Sequence, residues 1–255
     1  MPSIDLNADL GEECGDDRAL LQVVTTANVA AGAHAGGGEV LHRTVRDAAD
    51  AGVAVGVHPS YEDRAGFGRT SRLQEHDAAS LAALIRHQSF AVAAACAAHG
   101  VAITHIKPHG ALYHDVAADD AAARVVVSAV ADIAADLGHE VAVVGAPSSS
   151  ISTACAYRDI PFWAEAFVDR AYLPSGTLAP RSEPGAVLHD ADAVVEQALA
   201  LAMDGSVTAT DGSRVVVAAD TLCLHGDTPG AVLLAVSVRT ALEAHGLVIA
   251  HPTRP

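Results

Sequence analysis

The stretch AITHIKPHGALYHD, residues 102–115, joins a short apolar run to a lysine, a proline, a histidine and a glycine. Side chains of a strand alternate between its two faces, so Ile103, His105 and Lys107 share one side. The proline fixes its own φ, and the glycine lets the backbone approach a ligand closely. We therefore expect a strand that ends on polar side chains and turns directly into a binding site.

Alternation of short strands with alanine-rich helices continues along all 255 residues. We predict strands near Ser3–Ala8, Thr26–Ala30, Ala54–Val57, Ala102–Lys107, Val141–Gly145, Phe162–Ala166 and Thr221–His225. We predict helices near Asp17–Val24, Glu39–Ala51, Glu75–Ala98, Ala118–Leu137, Ser149–Tyr157, Asp190–Met203 and Pro229–His245. Residues 211–217 are predicted to form the second arm of a small hairpin. This repeated alternation predicts a parallel sheet covered by helices.

Two architectures fit this alternation, an open doubly wound sheet and a closed barrel. The dinucleotide fingerprint G-x-G-x-x-G does not follow the first strand, and G-x-x-x-x-G-K-[ST] does not occur. Polar residues instead recur at the C-terminal ends of almost every predicted strand, as barrel active sites require. We therefore predict a single α/β domain over residues 1–255, an irregular (β/α)7-type barrel with a loose tail from about 250.

Composition places the chain among acidic globular proteins. It is 51% hydrophobic with a mean hydropathy of +0.28, and its formal net charge is −16. Because phosphates and anionic lipids repel such a charge, we expect neither nucleic acid nor a membrane as a partner. The N-terminus does not resemble a signal peptide, and the longest apolar run is shorter than the ~20 residues that span a bilayer. The four cysteines form no C-x-x-C pair, which favours reduced thiols and a cytoplasmic location.

Polar groups recur on the predicted lumen side of the strands. Asp5, Asn7 and Asp9 share one face of the first strand, whose other face is apolar. In the third strand two small residues lie below His58, which predicts room for a ligand above them. Similar polar strand ends occur at Asn28, His34, Lys107, His109, His225 and Asp227. A lone histidine is usually structural, but histidines at several strand ends predict one shared site.

Lys107 is predicted to have a lowered pKa, because a barrel mouth lined by histidines combines partial desolvation with positive potential. It could then bind a carboxylate or phosphate, or act as a base, unless it extends to solvent. The glycine-rich segment AGGGE, residues 35–39, opens a helix and is a weak indication of an anion site.

Two chemistries fit these groups. In the first, Asp9, His34 and His58 hold a divalent metal ion that activates water, in a site assembled across strands because H-E-x-x-H is absent. In the second, Asp9, His58 or His109 act as general acids and bases without a metal. A serine hydrolase is not predicted because G-x-S-x-G is absent, and Cys14 has no evident paired base.

Seven segments resemble the signature segments of a known family. They are IDLNADLGE, ANVAAGAHAG, GVHPSYEDRAGFGR, HIKPHGALY, EAFVDRAY, PRSEPGAV and ADTLCLHGD. In this order they cover nearly the whole chain and look like the LamB/YcsF family. The resemblance implies an irregular seven-stranded β/α barrel, similar to the glycoside hydrolase/deacetylase superfamily. It also implies a 5-oxoprolinase, which opens 5-oxo-L-proline (pyroglutamate) to L-glutamate with ATP, in a complex with B and C subunits.

The resemblance further implies ATP as co-substrate, with Mg²⁺, and a small-molecule substrate. The catalytic residues are predicted to be Asp9, His58, Lys107 and His109. Substrate or phosphate binding is predicted for Asp5, Asn7, Glu12, Asn28, His34, Glu165, Arg170, Arg181, His225 and Asp227. The chain departs from the family's pattern at Ala8 and Ala31, where Cys is usual, and at Gly37, where Asp is usual. The last departure leaves the role of that loop open.

Several alternatives stay open at this point. The chain could be a stand-alone, metal-dependent amidohydrolase or carbohydrate deacetylase, or a non-catalytic subunit that binds pyroglutamate for its partners. Because no ATP motif is present, the nucleotide would bind either in an unusual way at the barrel mouth or in a partner protein of the complex. A homo-oligomer is also open.

Overall fold

The computed structural model describes residues 2–226, 228 and 230–252. Within them the strands are β1 (Ser3–Leu10), β2 (Thr26–Ala30), β3 (Ala54–His58), β4 (Ile103–Ile106), β5 (Ala142–Gly145), β6 (Phe162–Phe167), β7 (Ser206–Thr208), β8 (Arg214–Val216), β9 (Thr221–Leu224) and β10 (Val248–Ile249). The helices are α1 (Asp17–Leu20), α2 (Gly38–Asp50), α3 (Ala78–Ala98), α4 (Gly110–Ala118), α5 (Asp120–Leu137), α6 (Ser150–Arg158), α7 (Ala191–Asp204) and α8 (Ala231–Ala244). Asp227, predicted to bind substrate, lies outside the described residues.

Seven parallel strands close into a barrel. Neighbours follow the order β1-β2-β3-β4-β5-β6-β9, and β9 pairs again with β1, where Asn7 lies opposite Cys223. The predicted hairpin is present as β7 and β8, which pair antiparallel between α7 and the last barrel strand. Parallel neighbours need crossover connections, and helices supply most of them here. The predicted seven-stranded α/β barrel is therefore confirmed.

The barrel strands are apolar outside and polar inside. In β1, Leu6 and Leu10 belong to the hydrophobic core, whereas the alternate residues Asn7 and Asp9 are buried polar groups. The register sets Asp9 of β1 beside Asn28 of β2, so inward side chains of neighbouring strands meet. Alternation with a period of two thus divides one strand between a hydrophobic layer and a polar lumen.

Local signals set the helix ends. Asp77 caps α3 by accepting a hydrogen bond from the Ser80 N–H (2.8 Å), and the Ser80 hydroxyl accepts one from the Asp77 N–H (3.0 Å). By length and composition α3 could cross a membrane. In this fold it packs against α2 and α5 and buries Ile85 and Val92 in the core. A core helix of a barrel has the same length and apolar character.

The structure corrects the sequence prediction beside Lys107. Instead of a simple turn, α4 begins at Gly110, and the next helix begins at Asp120 rather than at Ala118. The break between them follows from Asp119, whose carboxylate accepts hydrogen bonds from the N–H groups of residues 121 and 122 and caps α5. The segment over residues 102–115 is therefore a strand, a short turn and a helix, which carries further side chains to the barrel mouth.

Gly56 serves a different purpose from the one predicted. A Cβ at this position would overlap the imidazole of His105, which reaches across from β4. His105 Nε2 lies 2.7 Å from Asn28 Oδ1, so the ring is held inside the lumen. The small residue therefore makes room for His105 and not for a ligand.

The end of the described chain still contacts the barrel. The Ala250 N–H donates to the Ile4 carbonyl (3.0 Å), and the His251 ring packs edge-on against Trp163 with centroids 4.9 Å apart. Residues 250 and 251 therefore contact the barrel, and residues 253–255 of the predicted loose tail lie outside the described residues.

Candidate functional site

A cavity of about 410 Å³ lies at the C-terminal ends of the barrel strands. Strand-end side chains and two loops, which follow β3 and β6, form its walls. The structure brings together at this wall eight of the predicted site residues, namely Asp9, Glu12, His58, Lys107, His109, Arg170, Arg181 and His225. The volume falls in the range of small-molecule sites.

Two carboxylates and three imidazoles meet at one side of the cavity. His58 Nε2 lies 3.3 Å from Asp9 Oδ2 and 3.0 Å from His109 Nδ1. Glu12 Oε1 lies 3.3 Å from His109 Nδ1 and 3.0 Å from His34 Nε2. His34 itself stacks on His109, with ring centroids 3.8 Å apart. Strand ends and their loops thus bring these five side chains into one compact cluster.

Backbone carbonyls decide which imidazole nitrogens face this cluster. The Lys107 carbonyl accepts from His58 Nδ1 (2.8 Å), and the Phe67 carbonyl accepts from His109 Nε2 (2.9 Å). In neutral rings the facing atoms, His58 Nε2 and His109 Nδ1, therefore both carry lone pairs. Burial and then the neighbouring imidazoles lower the pKa of His109, which disfavours a proton between them. A cation is the natural partner for two lone pairs 3.0 Å apart.

The donor set fits a divalent metal ion. Ligand atoms of Asp9, Glu12, His58 and His109 all lie within 4.8 Å of one another, and all four side chains are buried. Metal-binding histidines usually have their outer nitrogens bonded to carbonyls or carboxylates in this way. Two imidazoles with two carboxylates suit a transition ion better than Mg²⁺, which prefers oxygen ligands. Of the predicted metal candidates, His34 contacts Glu12 instead of joining this group.

Lys107 is the only lysine of the chain, and it is 1% exposed. Its ammonium lies 2.8 Å from both Asp9 Oδ1 and Glu165 Oε1. Burial alone would lower the pKa of Lys107, but the Asp9 carboxylate and its neighbours raise it well above 10.5. The predicted lowering of this pKa is therefore wrong, because the nearest charges are carboxylates. The raised pKa keeps Lys107 protonated between Asp9 and Glu165.

The same ion pair keeps Asp9 charged. Burial by itself would raise the pKa of Asp9, but its interactions with His58 and with the Lys107 ammonium bring it well below 3.8. Asn28 Nδ2 also donates to Asp9 Oδ1 (2.9 Å). Asp9 thus presents a carboxylate oxygen to the cavity while its other oxygen is held from below.

Four predicted substrate-binding residues lie beneath the cavity and do not line it. They are Asp5, Asn7, Asn28 and Glu165. Asn7 Nδ2 donates to Glu165 Oε1 (3.1 Å), and Asn28 Nδ2 donates to Asn7 Oδ1 (2.7 Å). Asp5 accepts from the hydroxyls of Thr25 and Thr26 at 2.6 Å. Asn7, Asn28 and Glu165 are thus joined to one another, and Asp5 is joined to two threonines. All four residues support the cavity floor.

His225 and Asp169 form a hydrogen-bonded pair at the cavity, and the sequence analysis identified only His225. His225 lines the cavity, and its Nδ1 lies 2.9 Å from both carboxylate oxygens of Asp169. Asp169 also accepts from the His225 N–H (3.2 Å) and is fully buried. Although burial alone would raise the pKa of Asp169, the charge and hydrogen bonds of His225 lower it. The ring stacks on Phe167 with centroids 5.2 Å apart.

This pairing fixes His225 in one orientation. Because the Asp169 carboxylate binds Nδ1, Nε2 is the nitrogen that can exchange a proton with a substrate. The aspartate of a Ser-His-Asp catalytic triad orients its histidine in the same way. Asp169 lies two residues past β6, so its position at a strand end was the signal that could have identified it.

Residues missed by the sequence analysis complete the wall. Phe67, Arg69 and Tyr113 line the cavity, as do His114 and Phe167. They lie in the loop after β3, on α4 and at the end of β6, where spacing alone predicts no shared site.

Gly68 shapes the loop that follows β3. A Cβ at this position would overlap the Ser60 hydroxyl and crowd His34 and His109. Its φ of +64 is also a conformation that favours glycine. Both reasons explain why a glycine lets this loop close over the imidazoles.

Gly37 does not take part in the cavity wall. It is the N-cap residue of α2 with φ +87, a conformation that favours glycine over the aspartate usual in the resembled family. The glycine-rich start of α2, predicted as a weak anion site, likewise lies outside the residues that line the cavity.

Comparison with known proteins gives a consistent result over the whole chain. The model of the LamB/YcsF family matches residues 4–255. A protein of Streptomyces griseus, named as the A subunit of 5-oxoprolinase, is 48% identical over 251 residues, which are 96% of this chain and 98% of that protein. A protein of the same name from Chloroflexus aggregans is 45% identical over 257 residues, covering 99% of this chain and all of its own length (100%).

Solved structures agree with the architecture. The crystal structure of a lactam utilization protein from Thermus thermophilus superposes with a TM-score of 0.89 at 37% identity, covering 97% of this chain and 99% of the other. A family 4 carbohydrate esterase from Streptomyces lividans has a TM-score of 0.51 at 13% identity, with 99% and 93% coverage. The second likeness concerns the fold alone, and it confirms the predicted similarity to deacetylase barrels.

Proposed function

The chain belongs to the LamB/YcsF family, and on this premise we propose that it is the subunit of a 5-oxoprolinase in which the ring of 5-oxo-L-proline is opened to L-glutamate. The observation that supports this most strongly is the single cavity that holds both a carboxylate–imidazole cluster and the Asp169–His225 pair. Opening a lactam requires one group to activate water and another to protonate nitrogen. The cavity offers one candidate for each task.

The reaction adds one water molecule across the amide bond. The water oxygen bonds to the carbonyl carbon and loses a proton, the bond from carbon to ring nitrogen breaks, and nitrogen gains a proton. We assign water activation to the side of the cavity with Asp9, Glu12, His58 and His109. We assign protonation of the leaving nitrogen to His225 Nε2, with Asp169 as the residue that holds the ring in position.

Lys107 acts through Asp9 in this scheme. Its charge keeps the Asp9 carboxylate ionised next to the imidazoles, and its contacts with Asp9 and Glu165 fix the cavity floor. The catalytic role predicted for Lys107 thus becomes a positioning role.

We further propose that the cluster of Asp9, Glu12, His58 and His109 holds a divalent transition ion. When bound, such an ion would supply Lewis acidity at the carbonyl group. The chain's own contribution is to present the four ligand atoms, to fix both ring tautomers through backbone carbonyls, and to exclude bulk water by burial.

ATP and the partner subunits belong to this proposal on chemical grounds. A five-membered lactam re-forms readily because its amine and carboxyl groups stay tethered, so hydrolysis alone is weakly driven. Transfer of the γ-phosphoryl group of ATP to the amide oxygen would activate the carbonyl carbon towards water. The bond from carbon to ring nitrogen would then break to leave a γ-glutamyl phosphate, and a second water molecule would release phosphate and L-glutamate. The only lysine is buried between two carboxylates, which favours a nucleotide pocket, with its Mg²⁺, in a partner such as the B or C subunits.

The test is glutamate release from 5-oxo-L-proline by the complex reconstituted with B and C subunits, with and without ATP. Replacing His225 by Gln should lower kcat by about 10²–10⁴-fold, the usual contribution of a general acid. His42→Gln, an exposed histidine of α2, is the matched control. Turnover that survives His225→Gln, Asp9→Asn and His58→Ala would instead identify a subunit that only binds the lactam. Calorimetry with ATP and the chain alone would show whether the nucleotide pocket lies in a partner.

A further inference from the structure

Three arginines line the cavity of a chain whose net charge is −16. Arg170 and Arg181 belong to the segment that follows β6, and Arg69 belongs to the loop that follows β3. The chain has fifteen Lys and Arg residues in total, and most surfaces of such a protein repel anions. Three guanidinium groups at one small cavity are therefore a local exception in the charge distribution.

The central arginine is built into the wall. Arg170 is 3% exposed, its Nε donates to the Ala186 carbonyl (3.2 Å), and its Nη2 donates to the Ala179 carbonyl (2.6 Å). Gln197 holds the same turn, because its side-chain amide donates to the Arg170 carbonyl (2.8 Å). These hydrogen bonds join the Arg170 guanidinium to neutral carbonyls, and Asp169 supplies the nearby negative charge that acts on it.

The other two arginines add positive charge from the rim. Arg69 lies over the Phe67 ring with 4.9 Å between its Cζ and the ring centroid, and both residues line the cavity. Burial, then the charge of Arg181, lowers the pKa of Arg170 to about 10, and Arg69 acts in the same direction. An anion bound among the three guanidinium groups would offset this repulsion.

A neutral donor stands beside them. Tyr113 lines the same cavity and is 6% exposed, and its hydroxyl interacts with the buried carboxylate of Glu165. Burial and then the charge of Glu165 raise the pKa of Tyr113, so the hydroxyl keeps its proton.

We propose that Arg69, Arg170 and Arg181 form an oxyanion subsite that holds the carboxylate of the lactam acid and aims its ring carbonyl at the Asp9 cluster. This inference rests on the proposed function and specifies its substrate class, lactams that carry a free carboxylate beside the ring nitrogen. The guanidinium groups attract the substrate's carboxylate, which leaves the ring carbonyl to face the Asp9 cluster, so the cavity orients the substrate by charge.

The binding experiment uses the full chain and three probes, 5-oxo-L-proline, 2-pyrrolidinone and inorganic phosphate, measured by calorimetry. 2-Pyrrolidinone has the lactam ring without the carboxylate. We expect it to bind at least tenfold more weakly than 5-oxo-L-proline, because hydrogen bonds to charged groups contribute about that much affinity or more. Arg69→Gln and Arg181→Gln alter exposed residues, so they are expected to fold, and Arg124→Gln on the exposed face of α5 is the matched control.

Each outcome decides a different point. The subsite is supported if Arg181→Gln and Arg69→Gln each weaken 5-oxo-L-proline binding about tenfold, leave 2-pyrrolidinone unchanged, and Arg124→Gln changes neither. Wild-type affinity of both variants for 5-oxo-L-proline would overturn the subsite while leaving the lactam function intact. Phosphate binding that the variants weaken, without any 5-oxo-L-proline binding, would overturn the carboxylate assignment and the proposed function together.

Discussion

Replacing Lys107 by methionine tests the centre of the site most directly. The change keeps a long unbranched side chain but removes the ammonium that lies 2.8 Å from both Asp9 and Glu165. Removing one partner of a buried ion pair leaves uncompensated charge and typically costs about 3–5 kcal/mol. Because two carboxylates lose their cation here, we expect the free energy of unfolding at pH 7 to fall by about that amount.

The dependence on pH separates charge from packing. In the wild type the pKa of Asp9 lies well below 3.8, so Asp9 contributes stability above that pH and loses it as pH falls through the folded value. Without Lys107, less positive charge offsets the effect of burial on Asp9, so the pKa of Asp9 rises and the carboxylate binds a proton at a higher pH. The difference between variant and wild type should therefore be greatest at pH 7 and become smaller towards pH 4.

Urea unfolding followed by circular dichroism, repeated between pH 4 and pH 8, measures this difference through the midpoint and slope. Asp9→Asn combined with Lys107→Met should recover part of the loss, because one of the two uncompensated charges is gone. A loss under about 1 kcal/mol at pH 7, or a larger loss that stays constant with pH, would refute the ion-pair argument.

The same contacts support four further predictions. Since Lys107 is the only lysine, protein labelled with ¹⁵N at lysine Nζ should give one ammonium resonance by NMR. This resonance should persist above pH 10.5 because the pKa of Lys107 is raised. Loss of the resonance below pH 10.5 would contradict the raised pKa. Asp169→Asn should lower kcat of the reconstituted complex by about 10²–10⁴-fold with KM within about twofold, because it releases the orientation of His225, and a loss confined to KM would argue against this positioning role. Metal analysis of the purified chain should find about one transition ion per chain. The metal content should fall in Glu12→Gln but not in Glu13→Gln, which changes an exposed neighbour. Equal metal content in the two variants would remove Glu12 from the ligand set. Asp77→Ala should lower the free energy of unfolding by about 1 kcal/mol through loss of the α3 cap, without effect on turnover; a change in turnover would contradict the separation of this cap from the site.

Several features of the site could be predicted from sequence because strand periodicity assigns each side chain to a face. Asp9, His58 and Lys107 lie at or just past strand ends of the predicted barrel, and all three line the cavity. Asp5 and Asn7 share the same lumen face, but spacing could not show that they lie beneath the side chains that line the cavity. Depth along the barrel depends on the shear between strands, which is set when the barrel closes.

The protonation states could not be predicted. The pKa of Lys107 was predicted to be lowered because the barrel mouth was expected to combine desolvation with the positive potential of histidines. Its neighbours in space are instead Asp9 and Glu165, which are 98 and 58 positions away along the chain. A pKa depends on distances of a few ångström, and such contacts join residues far apart in the chain.

The amino-acid sequence alone determined the alternation of strands and helices, the polar lumen face of each strand, and the family. These follow from local periodicity and from side-chain type, which a linear chain already contains. Only the tertiary structure decided that Asp169 orients His225, that backbone carbonyls turn two imidazole lone pairs towards each other, and that three arginines meet at one cavity. The physical reason is that hydrogen bonds and charge interactions act through space at short range, so they are defined only once the barrel brings distant strand ends together.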